Sequence, residues 1–172
     1  MPIVDVYSIQ LRNAHDHILN VLNGLNVEQL NYRPNDNQHS VGFAIWHALR
    51  AWDDYYALIT RALSVYDSDG WVQRFGFDPR GQGINGIGTG MTPDQVAALT
   101  MSVGPLCDFC EMLTTRTRAS LVNTNDEVLL TQAVVPWWNP PTVTFARVLM
   151  HIVAHTYSHI GEAEYVRGLL GK

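Results

Sequence analysis

A chain of 172 residues, 47% of them hydrophobic, is long enough to bury a substantial core and short enough to form one domain spanning residues 1–172. Its net charge of −5 and pI of about 5.7, with no Lys/Arg cluster, argue against the basic surface that nucleic-acid phosphates require. No apolar run approaches the ~18 residues of a membrane span, residues 1–5 lack the basic-then-apolar start of a leader, and Cys107 and Cys110 are too few for a disulfide framework; the expectation is a soluble cytoplasmic protein.

Val4, Tyr7, Leu11, Ala14, Ile18, Val21 and Leu25 recur at alternating steps of three and four, the seam of a first helix packed in a bundle. His15 and His17 flank that seam and read as rim residues. Gly24, Asn26, Asn31, Pro34 and Asn35 then mark a break with one short turn at 27–30. Ser40 caps a second helix from Val41 to about Leu63, with Val41, Ala44, Ala48, Ala51, Tyr55, Leu58 and Ala62 inward. His47 lies beside this stripe between two small neighbours, Ala44 and Ala51, which leave room for an ion or ligand next to the imidazole. Arg50 and Asp54 have the i, i+4 spacing of an ion pair, and Asp53 or Asp54 is a candidate to orient a ligating imidazole from behind.

Between Ser64 and Gly90 the helical pattern collapses. Seven of the 13 glycines fall there, together with Trp71, Phe75 and Phe77, and aromatics in a long connection tend to cover something apolar, either as a lid over a pocket or against a second subunit. Thr92-Pro93-Asp94-Gln95 starts a short helix to about Met101, with a cap, Pro at the first helical position and Gln three residues later. Gly104-Pro105 interrupts or restarts it, and Leu106, Cys110, Leu113, Thr117 and Leu121 form the stripe of a third long helix, in which Cys107 and Cys110 read as core packing. Residues 123–126 form a turn, residues 127–130 one helical turn, and Trp137-Trp138-Asn139-Pro140-Pro141 a rigid aromatic loop. Thr142 or Thr144 caps the last helix, which runs to about Leu169. The sum is an all-α four-helix bundle without strands, its connections between helices two and three and between three and four being long.

The last helix carries the chemistry. His151, His155 and His159 stand at i, i+4 and i+8, so a turn of about 100° per residue brings them to nearly one face. Two imidazoles one turn apart grip a single metal ion, and bundles complete such sites with a ligand from a facing helix. His47 is that third ligand by its small neighbours. Glu162, seven residues past His155, points the same way.

These residues resemble the DinB-like, or YfiT-like, superfamily of four-helix bundles with a metal site. The resemblance rests on Ser40-Val41-Gly42-Phe43 through Ile45-Trp46-His47-Ala48-Leu49-Arg50 with Asp53, and on His155-Thr156-Tyr157-Ser158-His159-Ile160-Gly161-Glu162 followed by Arg167-Gly168-Leu169. It also takes in the segment from Leu22 to Pro34 and is weakest between Ser64 and Met91. It implies metal ligation by His47, His155 and His159, with His151 lining the pocket. Ile160 stands where many relatives have Arg, so any pocket role of that Arg does not carry over. Three neutral imidazoles leave a zinc- or nickel-like ion an open position, as in catalytic sites. The resemblance favours a transferase that activates a low-molecular-weight thiol for attack on a small electrophile, with residues 64–90 and Trp137/Trp138 shaping the electrophile's pocket. The alternatives are a metal-dependent hydrolase in which Glu162 takes the proton of an attacking water, and a non-catalytic, stress-related binding module. Homodimers are usual among such relatives.

Overall fold

The computed structural model describes residues 1–172. In chain order it contains α1 (Ile3–Leu22), α2 (Val27–Asn31), α3 (Val41–Thr60), α4 (Val65–Ser68), α5 (Trp71–Phe75), α6 (Pro93–Ala97), α7 (Val103–Leu121), α8 (Asp126–Leu129), β1 (Gln132–Val134), β2 (Thr142–Thr144) and α9 (Phe145–Leu169). The long helices α1, α3, α7 and α9 make a four-helix bundle. No helix is long and apolar enough to cross a membrane.

The helix starts follow from side-chain caps. Asn26 and Thr92 form reciprocal capping boxes with Gln29 and Gln95, while Ser40, Ser64, Asn125 and Thr144 each accept a backbone N–H from three residues ahead. The start of α1 lacks a cap of its own, and Asp126 supplies one from across the bundle by accepting the Ile3 N–H at 3.0 Å. Gly104 and Pro105 do not interrupt a helix; they sit in the first turn of α7, where the N–H that Pro lacks has no intrahelical partner. Helix α3 stops at Thr60, short of Leu63, because Arg61 turns left-handed at φ 56°. Two strands that sequence periodicity did not announce pair antiparallel, with Gln132 opposite Thr144 and Val134 opposite Thr142. Three residues are too few to display a two-residue alternation.

Cross-helix contacts give the arrangement. His15 of α1 meets Glu111 of α7, whereas Tyr7 bonds the Ala146 carbonyl and His17 meets Glu164, so α1 runs antiparallel to α7 and parallel to α9. The Trp52 indole donates to Thr117 and Tyr56 reaches Ser120, making α3 parallel to α7, while His47 beside His159 and Tyr55 beside His151 make α3 antiparallel to α9. The directions are therefore up, down, down, up in chain order. Helix α1 lies diagonally opposite α3, and α7 opposite α9, so residues 23–40 and 122–144 cross the ends of the bundle and residues 61–102 return along its length. His15 and His17 serve in inter-helix pairs at the rim.

Helix α3 is the most enclosed of the four, with 14 buried residues among its 20. It therefore buries polar groups as well as apolar ones. Arg50 and Asp53 are 3% and 2% exposed and pair at 3.0 Å, i to i+3, in place of the expected Arg50–Asp54 pair. The Asp53 oxygens also accept the N–H groups of Val65 and Tyr66 at 2.7 and 2.8 Å, and the Arg50 guanidinium lies 4.0 Å over the Tyr66 ring. This pair fastens α4 to α3. Beyond it Tyr66, Trp71, Phe75 and Phe109 form an aromatic cluster, so the glycine-rich crossover is built into the core.

Burial pushes the Asp53 carboxyl up from 3.8 to about 6 against the pull of Arg50 and the two amides. The folded chain holds that proton more tightly than the unfolded one, so this contribution to stability is full below the ordinary value and is lost as pH rises through about 6. Removing one partner of a buried pair strands the other charge, at a cost of about 3–5 kcal/mol. Asp53→Ala is accordingly expected to lose about that much in urea unfolding at pH 7; a loss below about 1 kcal/mol would show the pair to be dispensable.

Candidate metal centre

The antiparallel packing of α3 on α9 brings His47 against the pair projected from successive turns of α9. Ring centroids of His47 lie 5.0 Å from His155 and 4.6 Å from His159, and those of His155 and His159 lie 4.5 Å apart. One ligating atom from each of the three lies within 4.8 Å of the others. Ala44, Ala48 and Ala51 are buried around His47 on α3, and their small side chains allow this approach.

Two of the rings are held by their Nδ1 atoms. The His47 Nδ1–H donates to the Ile87 carbonyl at 2.5 Å, and Gly88 follows at φ 104°, where a Cβ would stand 2.9 Å from that same nitrogen. Only glycine permits the crossover to sit so close. His159 Nδ1 lies 2.8 Å from one Glu162 oxygen, and the other Glu162 oxygen lies 2.8 Å from Nδ1 of His39. A carboxylate only accepts, so Nδ1 of His159 carries a proton, and in the neutral ring this leaves the lone pair on Nε2. His47 is left in the same state by the Ile87 carbonyl. Such hydrogen bonds are how proteins orient metal-ligating imidazoles.

Burial is the main cause holding His47 down at about 4 and His155 at about 3, with the neighbouring imidazoles adding to it at His155. The hydrogen bonds from His159 and His39 hold Glu162 down at about 2. Burial, and then the Arg147 charge, lowers His151.

The remaining residues singled out from sequence fall into two groups. His151 continues the row of imidazoles, its ring 5.5 Å from His155, 4.8 Å from Tyr55 and 4.9 Å from Trp138. The indole N–H groups of Trp137 and Trp138 both donate to the Tyr55 hydroxyl at 3.2 Å, which brings the aromatic loop over His151. Asp53 and Asp54, in contrast, do not orient an imidazole: Asp53 is committed to Arg50 and α4, and Asp54 accepts from Asn85 at 3.3 Å. Cys107 and Cys110 are unpaired thiols on α7, and burial is the main cause pushing both up. Sequence reasoning passed over His39, the Ile87 carbonyl and Gly88, whose partners lie across the fold; His39 directly precedes the Ser40 cap, a position with no periodic signal.

With two imidazoles neutral well below 6.5, the metal-free protein is expected to show no inflection in the His47 and His155 imidazole NMR shifts between pH 5.5 and 7.5. An inflection near 6.5 at either ring would mean that the cluster is more open to water than its packing shows.

Three comparisons place the chain among known proteins. A family profile described as the DinB superfamily matches residues 10–163. A crystal structure of a conserved protein from Enterococcus faecalis superposes with a TM-score of 0.87 at 24% identity, covering 100% of this chain and 99% of that one. YfiT from Bacillus subtilis, described as a probable metal-dependent hydrolase with an unusual four-helix bundle topology, superposes with a TM-score of 0.62 at 15% identity, covering 98% of this chain and 87% of that one. At these identities both establish the shared fold. No curated protein sequence matches the chain significantly. With the profile spanning α1 to α9 and including His47, His155 and His159, the chain belongs to the DinB superfamily.

Proposed function

We propose that the protein is a divalent-metal-dependent enzyme whose ion is held by His47, His155 and His159, and that its reaction bonds the sulfur of a small thiol to an electrophilic carbon, with release of the thiol proton and the electrophile's leaving group. The convergence of three ring nitrogens within 4.8 Å carries the metal reading. The donor set fits such an ion: burial keeps two of the rings neutral and ready to ligate, Nδ1 bonds turn Nε2 of His47 and His159 toward ligation, and three imidazoles suit zinc or nickel. The cluster holds no fourth His, Cys, Asp or Glu, which matches the open position of catalytic sites. An ion bound there supplies Lewis acidity that favours the ionised form of a thiol or a water beside it.

The state of Glu162 supports the thiol over water. Both of its oxygens are engaged by histidines, on the Nδ1 side of His159, so it acts as the residue that orients His159 and not as the base expected for an attacking water. A thiol, with an ordinary pKa near 8.5, ionises at neutral pH with little help from a protein base. Tyr55, Trp137 and Trp138 hold the aromatic loop against the His151 end of the row. The second reading, hydrolysis, is favoured by the description of YfiT.

Metal analysis by mass spectrometry on untagged protein is expected to give about one ion per chain, lost in His155→Ala. Zinc- or nickel-loaded protein is then assayed with a set of low-molecular-weight thiols and an aryl halide, and in parallel with a nitrophenyl ester. Metal-dependent thioether formation supports the transferase; metal-dependent ester cleavage alone replaces it with the hydrolase; failure to take up metal removes both and leaves a binding module. The support behind the ligands is tested separately. Glu162→Ala and Gly88→Ala are each expected to weaken metal binding about 10–100-fold in chelator competition, while Asp54→Asn leaves it unchanged.

A further inference from the structure

Beside the row of imidazoles lies a groove of about 330 Å³, walled by Trp138, Asn139, Pro140, Val143, Arg147 and His151. It is bounded on one side by the aromatic loop and β2 and on the other by the first two turns of α9. His151 lines the groove, and its ring lies 5.5 Å from that of His155, which links the groove to the three-histidine cluster. The volume is at the small end of ligand pockets, which span roughly 300–1,000 Å³. That admits a molecule of metabolite size.

The charge pattern selects the chemistry of the occupant. The chain as a whole carries −5, yet no Asp or Glu lines this groove and its one full cation is Arg147. Arg147 is exposed, pairs with no carboxylate, and lies 5.2 Å over the Trp138 ring, so its donors face the groove unneutralised. An arginine stacked on an aromatic face keeps its planar fork of donors pre-organised for a carboxylate, which it binds through two parallel hydrogen bonds. Trp138, Pro140 and Val143 offer an apolar wall, and Asn139 a further donor and acceptor.

We infer that this groove seats a small carboxylate with a flat apolar body, held by Arg147 at its charged end, as the substrate or cosubstrate of the adjacent centre. The inference rests on the proposed function for the reason such a molecule binds there. The groove and its charge stand without a metal.

The test uses phenylacetate and its neutral isostere phenylacetamide as probes, with binding read by calorimetry and ligand-observed NMR. The proteins are the metal-free and zinc-loaded wild type, Arg147→Gln, Arg147→Lys and His155→Ala. Phenylacetate is expected to bind the metal-free wild type and His155→Ala alike, and phenylacetamide at least about tenfold more weakly. Arg147→Gln loses that preference, and Arg147→Lys keeps part of it because the charge survives without the fork. Equal binding of acid and amide, no binding of phenylacetate, or binding undiminished in Arg147→Gln each overturns the inference. Binding that appears only with zinc and is indifferent to Arg147 assigns the carboxylate to the metal instead, overturning the groove assignment while leaving the metal reading intact.

Discussion

Burying α3 on nearly every side is the constraint from which the rest of this structure follows. A helix enclosed in that way buries whatever polar residues it carries, and α3 carries His47, Arg50 and Asp53 within two turns. Each needs a partner, since an unsatisfied buried polar group costs about 1–3 kcal/mol and a stranded charge more. Arg50 and Asp53 partner each other, and further partners come from residues 61–102. The α4 amides and the Tyr66 ring answer the Arg50–Asp53 pair, and the Ile87 carbonyl answers His47. A connection that looks irregular in composition is thus the polar lining of the central helix.

The same connection also reaches the imidazole cluster, through the Ile87 carbonyl. The three rings belong to two helices, and the groups that orient them come from three places: the Ile87 carbonyl from the crossover behind His47, Glu162 from α9 itself behind His159, and His39 from the segment before α3, which engages the other oxygen of Glu162. His155 lacks a hydrogen bond of this kind and is held by packing among the other rings. At the other end of the row Tyr55 gathers two indole N–H groups and places the aromatic loop beside His151. The centre therefore has a polar, tightly supported pole at His159 and an aromatic pole at His151. The groove with Arg147 opens at the aromatic pole.

The features read most directly from sequence were those that depend on spacing along one helix. The bundle helices announced themselves through steps of three and four, the caps at Ser40, Thr92 and Thr144 through their residue types, and the His155–His159 pair through its four-residue step. The triad with His47 was reachable because small residues one turn either side of an imidazole imply an approach by something else. What was not legible depends on contacts between distant segments. The Ile87 carbonyl lies 40 residues from His47, and His39 lies 123 from Glu162; neither distance leaves a periodic trace. Arg50 chose Asp53 over Asp54 because Asp53 faces the start of α4, a fact of tertiary packing and not of helical spacing. Glu162 has the expected helical phase, but the engagement of both its oxygens by ring nitrogens, of His159 on its own helix and of distant His39, was not legible from that phase.

The up, down, down, up order has a consequence for how the chain reaches this state. Helix α1 has no neighbour in the first half of the bundle, because it lies diagonally from α3 and rests on α7 and α9. Its apolar seam of Leu11, Ala14, Ile18 and Val21 is thus the first to be synthesised and among the last to be covered. During translation α3 can begin to collect the crossover around itself, while α1 waits for a helix that ends at Leu169. Contacts of such long sequence separation slow folding relative to a simple up-and-down bundle and prolong the exposure of an apolar stripe. Among helical bundles of its size, this one leaves the apolar stripe of α1 uncovered until α7 and α9 have been made.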